Sequence, residues 1–72
     1  MEERIIKIVA KELGMIPENV RLDSTFDGSL GCDSLDFIGI LMEIDKEFGV
    51  RIDPKKAKDL KTVADLVAAV SQ

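Results

Sequence analysis

Apolar residues recur at helical spacing over most of this chain and lose that rhythm in one long stretch. Ile5, Ile6, Ile8, Val9 and Leu13 fall on one side of a helix, and Glu2 and Glu3 precede them, where the positive end of the dipole favours acids. This pattern predicts an amphipathic helix over residues 2–13, stopped by Gly14. Residues 15–33 follow no period. Pro17 and Gly28 interrupt regular structure there, and a short helical turn is expected around 17–20. Ile16, Val20, Leu22, Phe26 and Leu30 anchor the stretch, so it reads as a structured loop, and loops this long in compact domains are commonly functional.

The strongest helical signal covers residues 34–48. Leu35, Phe37, Ile38, Ile40, Leu41, Met42, Ile44 and Phe48 make it apolar over most of its circumference, leaving a narrow stripe of Asp36, Gly39, Glu43 and Lys46/Glu47. A helix this apolar is central to a bundle or keeps part of its surface for a partner. Asp33 is the expected N-cap, with Asp36 three residues on in a variant of the capping box, which puts Ser34 in the first turn. Gly49 closes the helix. Asp53-Pro54 predicts an N-cap and N1 proline for a short third helix over 54–60. Thr62-Val63-Ala64-Asp65 opens a fourth running to about Val70, with Val63, Leu66, Val67 and Val70 at core spacing. The expected fold is all-α: a small four-helix bundle, one domain over 1–72, with a long structured loop between its first two main helices.

Composition narrows what can hold such a fold together. The chain has 72 residues, of which 46% are apolar, but only Phe26, Phe37 and Phe48 are aromatic. Cys32 is the sole cysteine and histidine is absent, so neither a disulfide nor a structural zinc site is available and packing must carry stability. An unpaired cysteine and the lack of a signal-peptide pattern point to a reducing cytoplasm. The apolar run Ile38 to Met42 is far short of the ~20 residues that span a bilayer.

Charge is unevenly placed. Residues 1–50 hold eleven acids and five bases, whereas 51–72 hold three acids and five bases, within a total of −4. That balance argues against nucleic acid, which demands clustered Lys and Arg, and favours a basic partner for the acidic part.

The stretch Gly31-Cys32-Asp33-Ser34-Leu35-Asp36-Phe37-Ile38 carries the most chemistry. It sets a serine hydroxyl where a loop becomes a helix. The first N–H groups of a helix lack intrahelical partners, and the dipole adds partial positive charge, so an anion such as a phosphate ester on Ser34 is stabilised there. No nucleophile–base pair or cofactor loop can be assembled, so the chain has no catalytic residues and the site reads as one that receives a group.

These residues resemble a known family. Gly31-Cys32-Asp33-Ser34-Leu35 is similar to the Gly-x-Asp-Ser-Leu motif of acyl carrier proteins, and the likeness extends over nearly the whole chain. It takes in Glu2-Glu3-Arg4-Ile5, Leu13-Gly14, Phe26, Leu30-Gly31, Glu47-Phe48-Gly49 and Lys61-Thr62-Val63. The resemblance implies a covalent 4′-phosphopantetheine arm on Ser34, taken from coenzyme A by a phosphopantetheinyl transferase, with Asp33 and Leu35 flanking it. It also implies acyl cargo held as a thioester and partner enzymes whose basic patches read an acidic second helix. Ser29 and Gly39 stand where the family commonly has acids, Lys46 interrupts a usually acidic run, and Lys55, Lys56 and Lys58 make the third helix basic. These departures suggest a specialised carrier with its own partners.

Each singled-out residue has a plainer reading. Ser34 could be an ordinary helix-start serine. Leu35, Ile38 and Met42 share one face as a docking stripe, or are core; Asp36, Glu43, Asp45 and Glu47 supply the acidic surface around them. Phe26, Phe37, Leu41, Ile44, Phe48, Ile52 and Leu60 read chiefly as core; the resemblance adds that some line a space for an acyl chain, which bulky Phe37 would narrow. Cys32 is a small loop residue, with a disulfide to the arm conceivable only under oxidising conditions. Lys55, Lys56 and Lys58 form a solvated face or a second patch. Asp33 and Asp36 lack the further ligands of a metal cage.

The resulting expectation is a monomeric, cytoplasmic acyl carrier for fatty-acid or specialised lipid biosynthesis, not an enzyme. The rivals are a carrier of aminoacyl or polyketide units and a helical interaction module without a prosthetic group.

Overall fold

A computed structural model of the chain describes residues 1–71. Helix α1 spans Glu2–Leu13, a single 3-10 turn covers Pro17–Asn19, α2 spans Ser34–Phe48, α3 Pro54–Ala57 and α4 Val63–Val70. No strand is present among the described residues; an isolated antiparallel bridge joins Thr25 and Thr62. The all-α bundle with one short helix matches the expectation from the sequence.

Helix α1 ends where Gly14 adopts a left-handed conformation (φ 68°), letting its N–H reach the Lys11 carbonyl and the Met15 N–H reach that of Ala10. The paired bonds satisfy carbonyls the helix would otherwise leave bare, and they turn the chain into the loop. Helix α1 packs on α2 and α4. The core draws Ile5, Val9 and Ala10 from α1, Val20 and Phe26 from the loop, Ile40 and Ile44 from α2, and Val63, Leu66 and Val70 from α4. Each fully buried Ile, Val or Leu contributes about 1.5–3 kcal/mol relative to exposure, so these side chains supply most of the driving force.

The long loop is bound to the start of α4. Phe26 N–H donates to the Lys61 carbonyl, Val63 N–H to that of Ser24 and Ala64 N–H to that of Leu22. The first-turn donors of α4, which no intrahelical carbonyl can satisfy, are thereby filled by the loop. Thr62 caps the same helix in a full capping box with Asp65. Hydrogen bonds from the Lys61 and Thr62 N–H groups hold the Asp65 carboxyl below its ordinary 3.8. A depressed folded-state value means that this contribution is present above the unfolded value and is lost as pH falls below about 3.8 through the folded one. Inside the loop, Thr25 and Ser29 tie each other, each backbone N–H donating to the other's hydroxyl at 2.9 and 3.0 Å. Ser29 thus closes the turn ahead of the Ser34 motif.

Helix α3 is shorter than the expected 54–60. Asp53 caps it, its Oδ1 accepting from Lys55 N–H at 2.9 Å. After Ala57 the bonding tightens: Asp59 N–H donates to Lys56 O and Leu60 N–H to Ala57 O, both three residues back. Such bonds end an α-helix in a tight turn. The Lys61 carbonyl is drawn to Phe26, which directs the chain away from the helix axis.

Candidate functional site

The entry to α2 is built from the loop upward. Cys32 N–H donates to the Phe26 carbonyl at 2.6 Å, which fixes the approach. Asp33 follows in extended conformation, and its Oδ1 accepts from Asp36 N–H at 2.9 Å, so it is the N-cap. The reciprocal half of the expected capping box, from Asp33 N–H to the Asp36 carboxylate, is not formed among the described residues. At α4 two adjacent N–H groups, of Lys61 and Thr62, draw Asp65 back; at α2 the equivalent N–H of Cys32 is already committed to Phe26.

Ser34 is therefore the first residue of α2, and its side chain is exposed. The Asp36 and Phe37 N–H groups bond to Asp33, while those of Ser34 and Leu35 have no acceptor among the described residues. An open hydroxyl thus stands beside two open donors at the positive end of a four-turn helix. Among the described residues, no cluster of three or more His, Cys, Asp or Glu could hold a metal ion.

Ser34 lines an open cleft of about 360 Å³ between the start of α2 and the segment that follows α3. Phe26 and Phe37 both line it, their rings tilted with centroids 5.0 Å apart, and Leu60 and Ala57 join them. Asp27, Asp33, Lys58 and Lys61 are its charged lining residues. Leu41, Ile44, Phe48 and Ile52 do not line it. Ile44 is fully buried, and the other three pack at the margin of the core. The space beside Ser34 is consequently smaller and more polar than the full set of apolar candidates implied.

Cys32 also lines the cleft and is half-buried. Burial, then the nearby Asp36 and Asp33 carboxylates, push its thiol up to about 11. The thiolate is the reactive form, so the reactive fraction at neutral pH drops about 100-fold against an ordinary cysteine. The higher-pKa thiolate is also the stronger nucleophile, so alkylation by iodoacetamide, followed by mass spectrometry, should run slower than for a free thiol by roughly tenfold. Labelling at the rate of free cysteine would show that the site lacks this electrostatic character.

Leu35, Ile38 and Met42 are bare on one face of α2, at 78%, 52% and 67% exposure. The acidic residues beside them differ in availability. Glu47 pairs with Arg4, which also stacks over Phe48 at 4.6 Å, and Asp45 lies 3.9 Å from Arg51. Neither Asp36 nor Glu43 has a cation within salt-bridge distance among the described residues. At Gly39 the missing side chain leaves room for another helix's acid: a Cβ there would come within 2.8 Å of the Glu12 Oε2. Glu12 thus brings a carboxylate from α1 onto the α2 stripe, a contribution invisible to a reading of α2 alone. Lys61 and Asp27 were likewise not anticipated at the site, because only the loop-to-α4 pairing brings them to Ser34. Lys55 and Lys56 are exposed and do not line the cleft, whereas Lys58 does.

Comparison with known proteins addresses the same region. Residues 3–70 match the family described as a phosphopantetheine attachment site. An acyl carrier protein of Rickettsia bellii (strain RML369-C) is 40% identical over 72 residues, covering all of this chain and 84% of the relative. One from Phaeodactylum tricornutum is 42% identical over 64 residues, covering 89% of this chain and 84% of its own length. The crystal structure of an acyl carrier protein from Thermotoga maritima superposes with a TM-score of 0.80 at 30% identity, covering 99% of this chain and 88% of the other. Likeness in sequence and in backbone over essentially the whole length permits one assignment: the chain belongs to the acyl carrier protein family, which works through a covalently attached 4′-phosphopantetheine.

Proposed function

We propose that Ser34 is the residue that accepts the 4′-phosphopantetheine group and that residues 1–72 act as one carrier domain in the cytoplasm, performing no chemistry on their cargo. The observation that carries the reading is the exposed Ser34 hydroxyl at the first position of α2, next to the open N–H groups of Ser34 and Leu35. A phosphodiester fits there because it is an anion at a helix start and because the exposed side chain meets no steric barrier. When bound, the group supplies a thiol on a flexible tether, on which acyl units travel as thioesters. In loading, a bond forms from Ser34 Oγ to the phosphorus next to the pantetheine of coenzyme A. The bond from that phosphorus to the bridging pyrophosphate oxygen breaks, adenosine 3′,5′-bisphosphate leaves, and a base of the transferase takes the serine proton.

Leu35, Ile38 and Met42 form the apolar centre of the docking surface, with Asp36, Glu43 and the Glu12 carboxylate as its open acidic rim. Asp45 and Glu47 join the rim by exchanging their intramolecular cations for those of a partner. Exposed pairs of that kind are worth only about 0.2–1 kcal/mol, so the exchange is easy. Truncating a central residue of such a patch commonly costs 1–2 kcal/mol of binding. Met42→Ala should therefore lower kcat/KM for a transferase roughly five- to thirtyfold with little change in the melting temperature. Equal efficiency for the variant and the parent would remove Met42 from the docking surface.

The test of the whole reading is incubation with coenzyme A and a phosphopantetheinyl transferase, followed by intact mass and peptide mapping. One phosphopantetheinyl unit on the peptide containing Ser34 is expected. No gain, or a gain on another peptide, overturns it.

A further inference from the structure

Two lysines of the Ser34 cleft have no role in loading or docking as described. Lys58 and Lys61 lie on the cleft wall contributed by the segment after α3, facing the start of α2 across about 360 Å³ of open space. Their roots are held firmly. Lys58 follows Ala57, which is buried, and precedes the two tight bonds that end α3. Lys61 is pinned on both sides of its Cα, its N–H donating to Asp65 Oδ2 at 3.0 Å and its carbonyl accepting from Phe26 at 3.0 Å. Both side chains are exposed, and neither ammonium is in a salt bridge among the described residues. Among the described residues they are the only cations lining this cleft. On the opposite side, Asp33 caps α2 and Asp36 lies in its first turn, so two carboxylates flank Ser34.

We infer that Lys58 and Lys61 form an anion seat for the phosphodiester on Ser34, so that loading fastens the segment 57–61 to the start of α2. The inference rests on Ser34 as the attachment residue. One negative charge is added beside two acids that repel it, and the two opposing lysines are in no salt bridge among the described residues, with Lys61 also feeling the Asp65 carboxylate. The charge-assisted contact of an ammonium with a phosphate oxygen is the interaction those side chains can make. The helix-start donors of α2 take one side of the group and the lysines the other. Lys58 and Lys61 are thus positioning residues: they influence where the arm leaves the surface and how firmly the short α3 is held.

Amide hydrogen exchange on the full chain, before and after loading, tests this. Intact mass first establishes that each sample is loaded. Loading should slow exchange at residues 57–61 by about threefold at low salt, the scale of one or two exposed ion pairs. The protection should vanish at about 0.5 M salt, where the screening length falls to several ångströms. It should also be absent in loaded Lys58→Gln/Lys61→Gln, whose unloaded form should exchange like the unloaded parent because both replaced side chains are exposed. Equal protection in the loaded parent and the loaded double variant, or none in either, overturns the seat while leaving Ser34 as the acceptor. Failure to gain mass at Ser34 overturns the acceptor assignment and this inference with it.

Discussion

Ser34→Ala should abolish loading and leave the fold unchanged. With Ser34 as the acceptor, its hydroxyl oxygen forms the ester bond, so its removal should take the mass gain with coenzyme A and transferase from complete to none. Stability should barely move, for three reasons. Ser34 is exposed, so no packing is lost. The cap of α2 is Asp33, whose bond to Asp36 N–H does not involve the Ser34 side chain. Alanine is also the better helix former inside the first turn. A change within about 0.5 kcal/mol in urea unfolding is expected, the range of ordinary surface substitutions. The remaining serines give the control its force. Ser24 is buried and bonded to Arg21 N–H, Ser29 is tied to Thr25, and Ser71, at the end of α4, donates its hydroxyl to the Val67 carbonyl. Loading of Ser34→Ala at any other position would defeat the acceptor assignment.

Why the site was legible in the chain itself comes down to local rules. Asp33, Ser34 and the apolar run behind them announce a helix start, and a helix start is decided by neighbours three residues apart. The same holds for Gly14, Gly49 and the Thr62–Asp65 box, all of which occupy the positions their types suggest. The end of α3 was not legible, because it is decided by a distant partner: Phe26 takes the Lys61 carbonyl and draws the chain off the helix axis. The cleft has the same origin. Asp27, Lys58 and Lys61 reach Ser34 only through the pairing of the loop with the start of α4, and no spacing within one segment reports that. Glu12 over Gly39 is a contact between two helices whose faces each looked ordinary alone. Within α2, periodicity could say that too many residues were apolar for all to be core; which of them face inward depended on where α1 and α4 lie.

That last ambiguity has a direct experimental form. Ile44→Ala should unfold a large fraction of the protein, whereas Met42→Ala, two residues away in the same helix, should leave it intact. Ile44 is at 0% exposure in one core with Ile5, Val9, Ile40, Val63 and Leu66, while Met42 is at 67%. Truncating a fully buried isoleucine removes its transfer free energy and opens a cavity, at a combined cost of about 2–5 kcal/mol. Chains of this length rarely hold more than about 3–5 kcal/mol in a single core, and Cys32 has no second cysteine with which to staple it. The deletion is therefore comparable to the whole stability, and the circular dichroism melt should move down by tens of degrees or lose its cooperative transition. The Met42 substitution removes atoms that mostly contact water, so its melt should overlay that of the parent while its reaction with the transferase slows. The two substitutions thus separate what the helix does for the fold from what it offers to a partner. If Ile44→Ala melts with the parent, the core is not organised around α2, and the exposure of Leu35, Ile38 and Met42 loses its meaning as a docking face. If both variants melt early, Met42 is packed against the body of the protein in solution and the apolar stripe belongs to the core.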